Sequence, residues 1–261
     1  MKKGVTIWNY KQKPTMEMAR EFYEAGFDAI SWHGRYFSEA DDRGRDEIAD
    51  FLNETKMYFT VHHRLPKAKD DDDYYKAFYV HMDRILNWQI KYGLLGGLTF
   101  DIYSEYESTL SYLADAIKMF RGTGVFLACE DVPLTQDVYD GFFKNFLTAD
   151  DNFGILIDIG HMNIRMTQQN KRGHQDFIDV FNNLPLQLKE IHLHDNLGEN
   201  DDHMYSGYGT LPHNSIAQGL KAINFDGVVS VEIIQREGWK VEDAIKYANM
   251  THKALQDCWN L

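Results

Sequence analysis

The chain has 261 residues, of which 44% are hydrophobic and 14% aromatic, and it carries a formal net charge of −13 at pH 7. This length and composition fit a well-packed domain and exclude a disordered protein. A surface this acidic repels phosphate backbones unless metal ions or a local basic patch reverse its sign. The charge therefore argues against nucleic acid as a partner.

The N-terminal segment and the cysteines bear on the cellular localisation of the protein. The segment MKKGVTIWNYK has two lysines but only a very short apolar run, which argues against a secretory signal. No stretch approaches the roughly 20 apolar residues of a membrane span. The two cysteines, Cys129 and Cys258, lie far apart without metal-binding spacing. We therefore expect a reduced, cytoplasmic protein that is not inserted in a membrane.

Apolar segments of strand length alternate with segments of helical spacing along the whole chain. Eight strands are predicted from their content of Val, Ile, Phe and Tyr and from the glycine or polar turn that opens several of them. They are residues 4–10, 27–34, 57–65, 96–103, 124–132, 153–161, 188–196 and 227–234. An apolar stripe at Val241, Ala244, Ile245 and Ala248 is typical of the helical segments between them.

Strict alternation of strands and helices favours parallel strands joined by right-handed crossovers. Eight such units are the number that closes a (β/α)₈ barrel. The alternative is a doubly wound open sheet, which normally has a glycine-rich phosphate-binding turn after its first strand, whereas WNYKQKPT has no glycine. The sequence thus predicts an α/β protein in which residues 1–261 form one TIM-barrel domain.

Polar side chains, all but Arg64 able to bind a metal ion, fall at the ends of six predicted strands and in the loop after the seventh. The C-terminal ends of barrel strands are where chemistry takes place in this fold. The side chains at the strand ends are His62, Arg64, Asp101, Glu130, Asp158, His161, His192, His194 and Glu232, and those in the loop are Asp201 and His203.

Carboxylates placed at the ends of apolar strands need a partner. Each would cost several kcal/mol if it were buried alone, and a divalent cation neutralises several carboxylates at once while also accepting imidazole nitrogens. Mixed carboxylate and histidine ligands suit Mn²⁺, Mg²⁺, Co²⁺ or Zn²⁺. Taken singly, each side chain could instead be a hydrogen-bonded residue of a salt-bridged barrel mouth. As a set, they predict a metal site.

Four motifs in this order resemble the xylose isomerase-like TIM barrels. They are ACEDVP, LIDIGHMNI, IHLHDNLGENDDHMYSGYG and VSVEII, on the predicted strands five to eight, with weaker support from FTVHHRLP. That superfamily includes ketose 3-epimerases, inosose dehydratases, other sugar or sugar-phosphate isomerases, and endonuclease IV. The resemblance covers essentially the whole chain as topology and is specific in these motifs.

The resemblance implies a set of ligands. The shared metal site would consist of Glu130, Asp158, His192 and Glu232. The HLHD motif is similar to a His-x-x-Asp form that selects His192 and to a His-x-His form that would select His194. Strand alternation puts both histidines on the barrel side, so register leaves both open. The endonuclease-like members imply further metals, held by His62 at one site and by His161, Asp201 and His203 at another.

The number of ions implied is therefore one to three. Asp101 stands where the endonuclease-like members have a histidine, so the site that includes His62 departs from their pattern. Aspartate can also bind a metal ion.

The expected activity is that of a sugar or sugar-phosphate isomerase or epimerase. A bound metal would polarise the substrate carbonyl, and Glu130 and Glu232 would remove and return a proton from opposite sides through an enediolate. The substrate contacts expected besides these are His62, Arg64, His161, His194 and His203. A homo-oligomer is compatible with the sequence.

The alternative activity is metal-dependent phosphodiester hydrolysis of the endonuclease IV type, acting at abasic sites. The nearly complete multi-metal ligand set favours it, because such sites activate water for in-line attack. The net charge of −13 and the lack of a basic run count against it. Carbohydrate chemistry is the preferred interpretation.

Overall fold

A computed structural model describes residues 1–7, 16–34, 42–64, 72–101, 107–130, 144, 146–148, 151–233 and 239–260. Eight parallel strands follow one another in chain order and the sheet closes as a barrel. They are β1 (Lys2–Thr6), β2 (Ala29–His33), β3 (Tyr58–Arg64), β4 (Gly96–Asp101), β5 (Phe126–Glu130), β6 (Phe153–Asp158), β7 (Leu188–Leu193) and β8 (Val228–Val231). The predicted (β/α)₈ TIM-barrel fold is confirmed.

Eight helices accompany the strands in the described part of the chain. They are α1 (Met16–Glu24), α2 (Asp42–Thr55), α3 (Asp72–Tyr92), α4 (Glu107–Phe120), α5 (Ile159–Gln168), α6 (His174–Asn182), α7 (His213–Ala222) and α8 (Val241–Trp259). Two of them, α5 and α6, lie between β6 and β7. Most of the segment between β5 and β6 lies outside the described residues. None of the described helices is both long and apolar enough to cross a bilayer.

The sixth strand is shorter than its sequence pattern predicts. Residues 153–161 read as one strand, but β6 ends at Asp158 and α5 begins at the next residue. Asp158 is the N-cap of α5, since its Oδ1 accepts a hydrogen bond of 2.7 Å from the backbone N–H of His161. A carboxylate that caps a helix ends the strand pattern, because it satisfies a backbone donor that the helix leaves free. His161 therefore lies in the first turn of a helix.

By its internal contacts the chain divides into two compact units. Unit 1 comprises Met1–Ser31, Ile157–Leu184 and Glu190–Leu261, and unit 2 comprises Trp32–Leu156 and Pro185–Lys189. In unit 1, β1 pairs with β2 and β8, and β7 pairs with β8. In unit 2, β3, β4 and β5 pair in order, and residues 153–156 of β6 pair with β5. That residues 1–261 form a single domain stays a prediction.

Aromatic side chains pack in the interior of each unit. In unit 1, the rings of Phe22 and Phe27 meet edge to face with centroids 5.1 Å apart. In unit 2, the Phe59 ring lies between Trp32 and Trp88, at 5.8 and 5.7 Å. Such edge-on contacts add stability beyond the burial of apolar area and fix the rings in place. The strands that carry the polar side chains are thus held by a rigid apolar layer.

Candidate metal centre

Three of the four ligands predicted for the shared metal site lie together in unit 1. Asp158 ends β6, His192 lies in β7, and Glu232 directly follows β8. All three side chains are buried, and each offers one ligand atom within 4.8 Å of the others. We call these residues the inner cluster. The fourth predicted ligand, Glu130, ends β5 in unit 2.

A buried ion pair joins two members of the inner cluster. His192 Nδ1 lies 2.8 Å from Glu232 Oε2. Burial alone lowers the pKa of His192, but the adjacent Glu232 carboxylate outweighs it and raises that pKa to about 9. Burial raises the pKa of Glu232, and His192 in turn lowers it to about 2. Without a metal ion, the pair is therefore charged at neutral pH.

The third member, Asp158, contacts the other candidate histidine. His194 Nε2 lies 2.9 Å from Asp158 Oδ1 and 3.1 Å from Oδ2. Burial raises the pKa of Asp158, but the charges of His194 and His161 hold it well below its usual range. The two histidines of β7 and the following loop thus take different partners, His192 facing Glu232 and His194 facing Asp158. Each of the two histidines belongs to a group of potential metal ligands that also contains Asp158, so both remain candidate ligands.

A second group of metal-competent side chains, the outer cluster, consists of His161, His194, Asp201 and His203. Asp201 Oδ2 lies 3.3 Å from His161 Nε2 and 3.1 Å from His203 Nε2, and its Oδ1 lies 3.5 Å from His194 Nε2. The rings of His194 and His203 stack with centroids 4.0 Å apart. Burial raises the pKa of Asp201, but hydrogen bonds from His161 and His203 outweigh it and lower it. The Asp201 carboxylate thus lies within 3.5 Å of three imidazoles.

His203 is held in an uncommon backbone conformation. Its φ is +45°, in the left-handed region that side chains other than glycine seldom adopt. Its Nδ1 donates a hydrogen bond of 2.9 Å to the carbonyl oxygen of Glu232. Burial lowers the pKa of His203, but its hydrogen bond to Asp201 and the charge of Glu232 raise it to about 9. Strained backbone that presents a side chain to a charged cluster is typical of functional sites.

The loop that carries Asp201 and His203 is anchored by Asp195. The Asp195 carboxylate accepts hydrogen bonds from three backbone N–H groups, with Oδ1 bound to Asn196 at 2.9 Å and Leu211 at 3.1 Å and Oδ2 bound to Gly207 at 3.0 Å. Its own backbone pairs with Met204 through two hydrogen bonds, of 2.7 and 2.8 Å. This carboxylate therefore acts as a brace that closes residues 196–211 into a compact loop.

A glycine in α5 makes room for the outer cluster. A Cβ atom placed on Gly160 would lie 1.9 Å from Cε1 of His194. Any side chain at residue 160 would therefore displace the imidazole. The sequence reading did not single out this glycine, because a need for space shows only once the neighbouring ring is placed.

Unit 2 contributes its own group of polar side chains. His62 Nε2 lies 3.0 Å from Asp101 Oδ1 and 3.4 Å from Glu130 Oε2, and its Nδ1 lies 2.9 Å from Thr99 Oγ1. All four residues are buried. The aspartate that replaces the expected histidine on β4 thus contacts the predicted ligand His62. The side chain of Arg64, a predicted substrate contact, lies outside the described residues.

The sequence reading also missed Glu190. This glutamate lies in β7 two residues before His192, and its side chain is fully buried. The period-two alternation of a strand places it on the same face as His192. The alternation was thus the signal that could have found it.

The chemistry of the inner cluster fits a divalent cation. It offers two buried carboxylates and one imidazole, a donor set that suits Mn²⁺, Mg²⁺, Co²⁺ or Zn²⁺. Burying two carboxylates beside one imidazole leaves a net negative charge, which a divalent ion would neutralise. The outer cluster is richer in nitrogen, with three histidines around Asp201, and such donors favour Zn²⁺ or Co²⁺ over Mg²⁺.

The chain is similar to two curated proteins of Methanocaldococcus jannaschii. It is 26% identical over 166 residues to the uncharacterized protein MJ1311 and 26% identical over 149 residues to the uncharacterized protein MJ1614. These matches cover 60% and 55% of this chain, and 53% and 52% of the two relatives. The chain thus spans about half the length of the curated relatives it matches.

Solved structures of sugar epimerases have the same fold. A D-tagatose 3-epimerase-like protein matches with a TM-score of 0.72 and 19% identity, over 99% of this chain and 98% of that one. A D-psicose 3-epimerase from Clostridium cellulolyticum H10 matches with a TM-score of 0.68 and 17% identity, over 100% and 97%. An L-ribulose 3-epimerase matches with a TM-score of 0.69 and 14% identity, over 99% and 96%. Identities this low show likeness of fold alone.

A family model provides the remaining comparison. The model described as the xylose isomerase-like TIM barrel matches residues 19–251. The match includes the whole inner cluster and the whole outer cluster. Because it spans most of the sequence and agrees with the observed barrel, the chain belongs to the xylose isomerase-like TIM barrel family.

Proposed function

We propose that this protein is a metal-dependent isomerase or epimerase that acts on a sugar or sugar phosphate. The observation that carries the proposal is the inner cluster, in which Asp158, His192 and Glu232 are buried with ligand atoms within 4.8 Å of one another. In the described part of the chain, His192 lies 2.8 Å from Glu232 and His194 lies 2.9 Å from Asp158, so the carboxylates of the cluster lie beside imidazoles that can also bind a metal ion. Membership of the xylose isomerase-like family and a fold similar to that of solved sugar 3-epimerases support a sugar as substrate.

In the proposed reaction, Glu232 exchanges a proton with the carbon next to the substrate carbonyl. In the metal-free protein, the adjacent His192 lowers the pKa of Glu232 to about 2, so this side chain is a carboxylate, the form that can accept the proton. A divalent ion, when bound, would polarise the carbonyl and so acidify the neighbouring C–H group. Glu130 is the proposed second acid–base group, which completes the exchange through an enediolate.

The remaining polar residues are proposed to orient the sugar. His203 and His161 are partly exposed and bear N–H groups suited to hydroxyl or phosphate oxygens. His62 is proposed as a further contact in unit 2, and His194 as a contact or ligand beside Asp158. Arg64 stays a predicted contact for a phosphate or carboxylate. None of these roles requires a charge change during the reaction.

Solvent proton exchange tests this function directly. The protein, loaded with Mn²⁺, is incubated in D₂O with a panel of ketohexoses, ketopentoses and their phosphates, and the sugars are analysed by NMR. We expect one class of sugar to lose a C–H signal next to its carbonyl and to form an epimer or isomer. A panel in which no sugar exchanges a proton would contradict the proposal.

Two variants connect that exchange to the proposed acid–base groups. Glu232→Gln and Glu130→Gln should each abolish exchange, because an amide does not take up the proton. Asp226→Asn, a change of the same charge at an exposed residue just before β8, should leave the exchange rate unchanged. Exchange at the wild-type rate in Glu232→Gln would show that the two-carboxylate mechanism is wrong.

The second candidate function is metal-dependent phosphodiester hydrolysis. The outer cluster favours it, since His161, Asp201 and His203 lie together as a second potential metal site. The net charge of −13 disfavours a nucleic acid substrate. Cleavage of a DNA duplex with a single abasic site, measured at moderate salt with bound Zn²⁺, decides between the two. Efficient nicking would favour the nuclease over the isomerase.

A further inference from the structure

A cavity in unit 1 lies where β1 and β8 begin, away from the strand ends that carry the metal clusters. Its volume is about 420 Å³, a size typical of sites that bind small molecules. Its lining comprises residues 1–3, Val229 of β8 and residues of α8 between Asn249 and Asp257. The cavity therefore lies between the sheet and α8, and we asked which ligand its lining would suit.

The cavity and the inner cluster lie on opposite faces of β8. The Ser230 hydroxyl is directed to Glu190, and Glu232 shares the face of Ser230 because side chains alternate along a strand. Val229 is directed to the other face, towards α8, where it lines the cavity. It also precedes Glu232 by three residues, a distance of about 10 Å along the strand. The cavity is thus a site separate from the proposed metal centre.

The ammonium group of Lys3 lines the cavity. Its Nζ donates a hydrogen bond of 3.3 Å to the carbonyl oxygen of Ala25 and lies 4.1 Å from the centroid of the Phe27 ring. Burial lowers the pKa of Lys3, against the opposing charge of Asp28, whose carboxylate accepts the backbone N–H of Lys3 at 3.1 Å. Among the residues that the structure describes, Lys3 forms no salt bridge. A partly desolvated ammonium group of this kind is stabilised by a bound anion.

The charges around the cavity also favour an anion. Three lysines line it, Lys2, Lys3 and Lys253, against the one carboxylate of Asp257. Lys253 Nζ lies 2.7 Å from each oxygen of Asp257, so these two charges compensate each other. The lining is therefore positive in a chain whose formal net charge is −13. Such a local reversal of sign attracts anions to this part of the surface.

His252 offers a hydrogen-bond acceptor to a ligand in the cavity. Its Nε2 donates a hydrogen bond of 2.7 Å to the carbonyl oxygen of Gly4, since a carbonyl can only accept. Burial lowers the pKa of His252 to about 4, outweighing that hydrogen bond, so the ring is neutral and Nδ1 keeps its lone pair. No donor from the described residues bonds to Nδ1. A hydroxyl group of a ligand would supply one.

We propose that this cavity binds a small hydroxylated anion of the sugar acid or sugar phosphate class. The anionic group pairs with Lys3, and a hydroxyl group donates to Nδ1 of His252. The amides of Asn249 and Gln256 can both donate and accept, which suits further hydroxyls, and Val229 provides an apolar wall for the carbon chain. The site requires neither a metal ion nor the proposed catalytic residues.

Four six-carbon ligands test which chemical groups the cavity recognises. Gluconate has a carboxylate and hydroxyls, sorbitol 6-phosphate a phosphate and hydroxyls, hexanoate the carboxylate alone, and sorbitol hydroxyls alone. Titration calorimetry measures their binding to the whole wild-type chain in buffer without divalent ions. We expect gluconate or sorbitol 6-phosphate to bind, hexanoate to bind about fivefold or more weaker, and sorbitol about tenfold or more weaker. The tighter of the two hydroxylated anions identifies the anionic group as carboxylate or phosphate.

Two variants locate the bound ligand. Lys3→Met removes the ammonium group but keeps an apolar stem, and affinity should fall about tenfold or more. Asn249→Trp fills the cavity with an indole ring without removing a charge, and should abolish binding. Lys171→Met, the same change at an exposed residue outside the cavity, should bind like the wild type. Circular dichroism and the melting temperature establish that each variant is folded.

The possible results either support or overturn the inference. Binding that is weakened in Lys3→Met, lost in Asn249→Trp and kept in Lys171→Met would support it. Wild-type affinity in either cavity variant would show that the ligand binds elsewhere and would overturn it. The same conclusion follows if neither hydroxylated anion binds, or if hexanoate or sorbitol binds as tightly as both of them.

Discussion

Gly160 and His194 are in such close contact that the imidazole ring occupies the place where a side chain at residue 160 would begin. The Cβ atom of an alanine there would lie 1.9 Å from Cε1 and 2.3 Å from Nε2 of the ring. Gly160→Ala should therefore displace His194 from Asp158 and destabilise the protein by about 1–3 kcal/mol. Denaturant unfolding in the presence of a chelator measures the loss. The double variant Gly160→Ala/His194→Ala serves as the control, because it removes the ring that causes the overlap. A double variant no more stable than expected from adding the two single effects would contradict this explanation.

Asp158 has two roles that different substitutions separate. Its carboxylate caps α5 through His161 N–H and belongs to the inner cluster. Asp158→Asn keeps a good N-cap but removes the charge, so divalent-ion affinity should fall by about tenfold or more while α5 keeps its start. Asp158→Ala should lose affinity as well and in addition about 1 kcal/mol of stability from the missing cap. Calorimetric titration with Mn²⁺ and denaturant unfolding of the metal-free variants measure the two effects. Equal stability of the two variants would contradict the capping role.

Metal binding should become tighter as the pH rises. In the metal-free protein, Glu232 outweighs the effect of burial and raises the pKa of His192 to about 9. An imidazolium does not bind a metal ion, so below about pH 9 each ion that binds must displace a proton from His192. Apparent affinity for Mn²⁺ should thus increase up to about tenfold per pH unit from pH 6.5 and level off near pH 9. Titrations at pH 6.5, 7.5 and 8.5 measure this slope.

Two histidine variants identify the group responsible for that slope. His192→Gln should bind weakly and with a flatter pH dependence. His174→Gln, on α6, should keep the wild-type slope, since His174 bonds to Ser215 and Gln218 instead of the clusters. Wild-type affinity that does not change with pH would contradict the role of His192 as a protonated ligand in the metal-free state.

The Asp195 brace should control the loop that carries Asp201 and His203. Asp195→Asn puts an amide N–H₂ group opposite one of the three backbone donors that the carboxylate accepts, which should cost about 1–3 kcal/mol. Hydrogen exchange measured by mass spectrometry should show faster exchange across residues 196–211, and Zn²⁺ bound by the outer cluster should be lost first. Glu199→Gln, an exposed change within the same loop, is the control. Unchanged exchange in Asp195→Asn would show that the loop is held by other contacts.

The fold followed from patterns that the sequence makes visible, and the inner cluster followed from those patterns together with the family resemblance. Strand-like alternation put His192 on one face of β7, and an acidic residue closed the apolar runs that became β6 and β8. Once eight such units are arranged as a barrel, the ends of the strands become neighbours. Local patterning therefore placed these residues in a larger set of side chains at strand ends, and the resemblance to the xylose isomerase-like barrels selected Asp158, His192 and Glu232 from that set as ligands.

The features that the sequence analysis missed depend either on contacts between distant residues or on the exact end of a strand. The end of β6 was placed three residues too late because Asp158 completes an apolar run and caps a helix at the same time. The need for glycine at residue 160 arises from a ring 34 positions away in the chain, which no local pattern reports. Glu190 was visible in the alternation of β7, but its hydrogen bond from Ser230 becomes apparent only once β8 is placed beside β7.

The hydrogen bond from Ser230 to the fully buried Glu190 has a consequence for engineering this barrel. Buried polar groups can often be exchanged for well-packed apolar ones with a gain in stability. The paired change Glu190→Met and Ser230→Ala should therefore give a protein that resists denaturant better. Selection of the chain for heat resistance alone would then tend to replace this buried polar pair with apolar side chains.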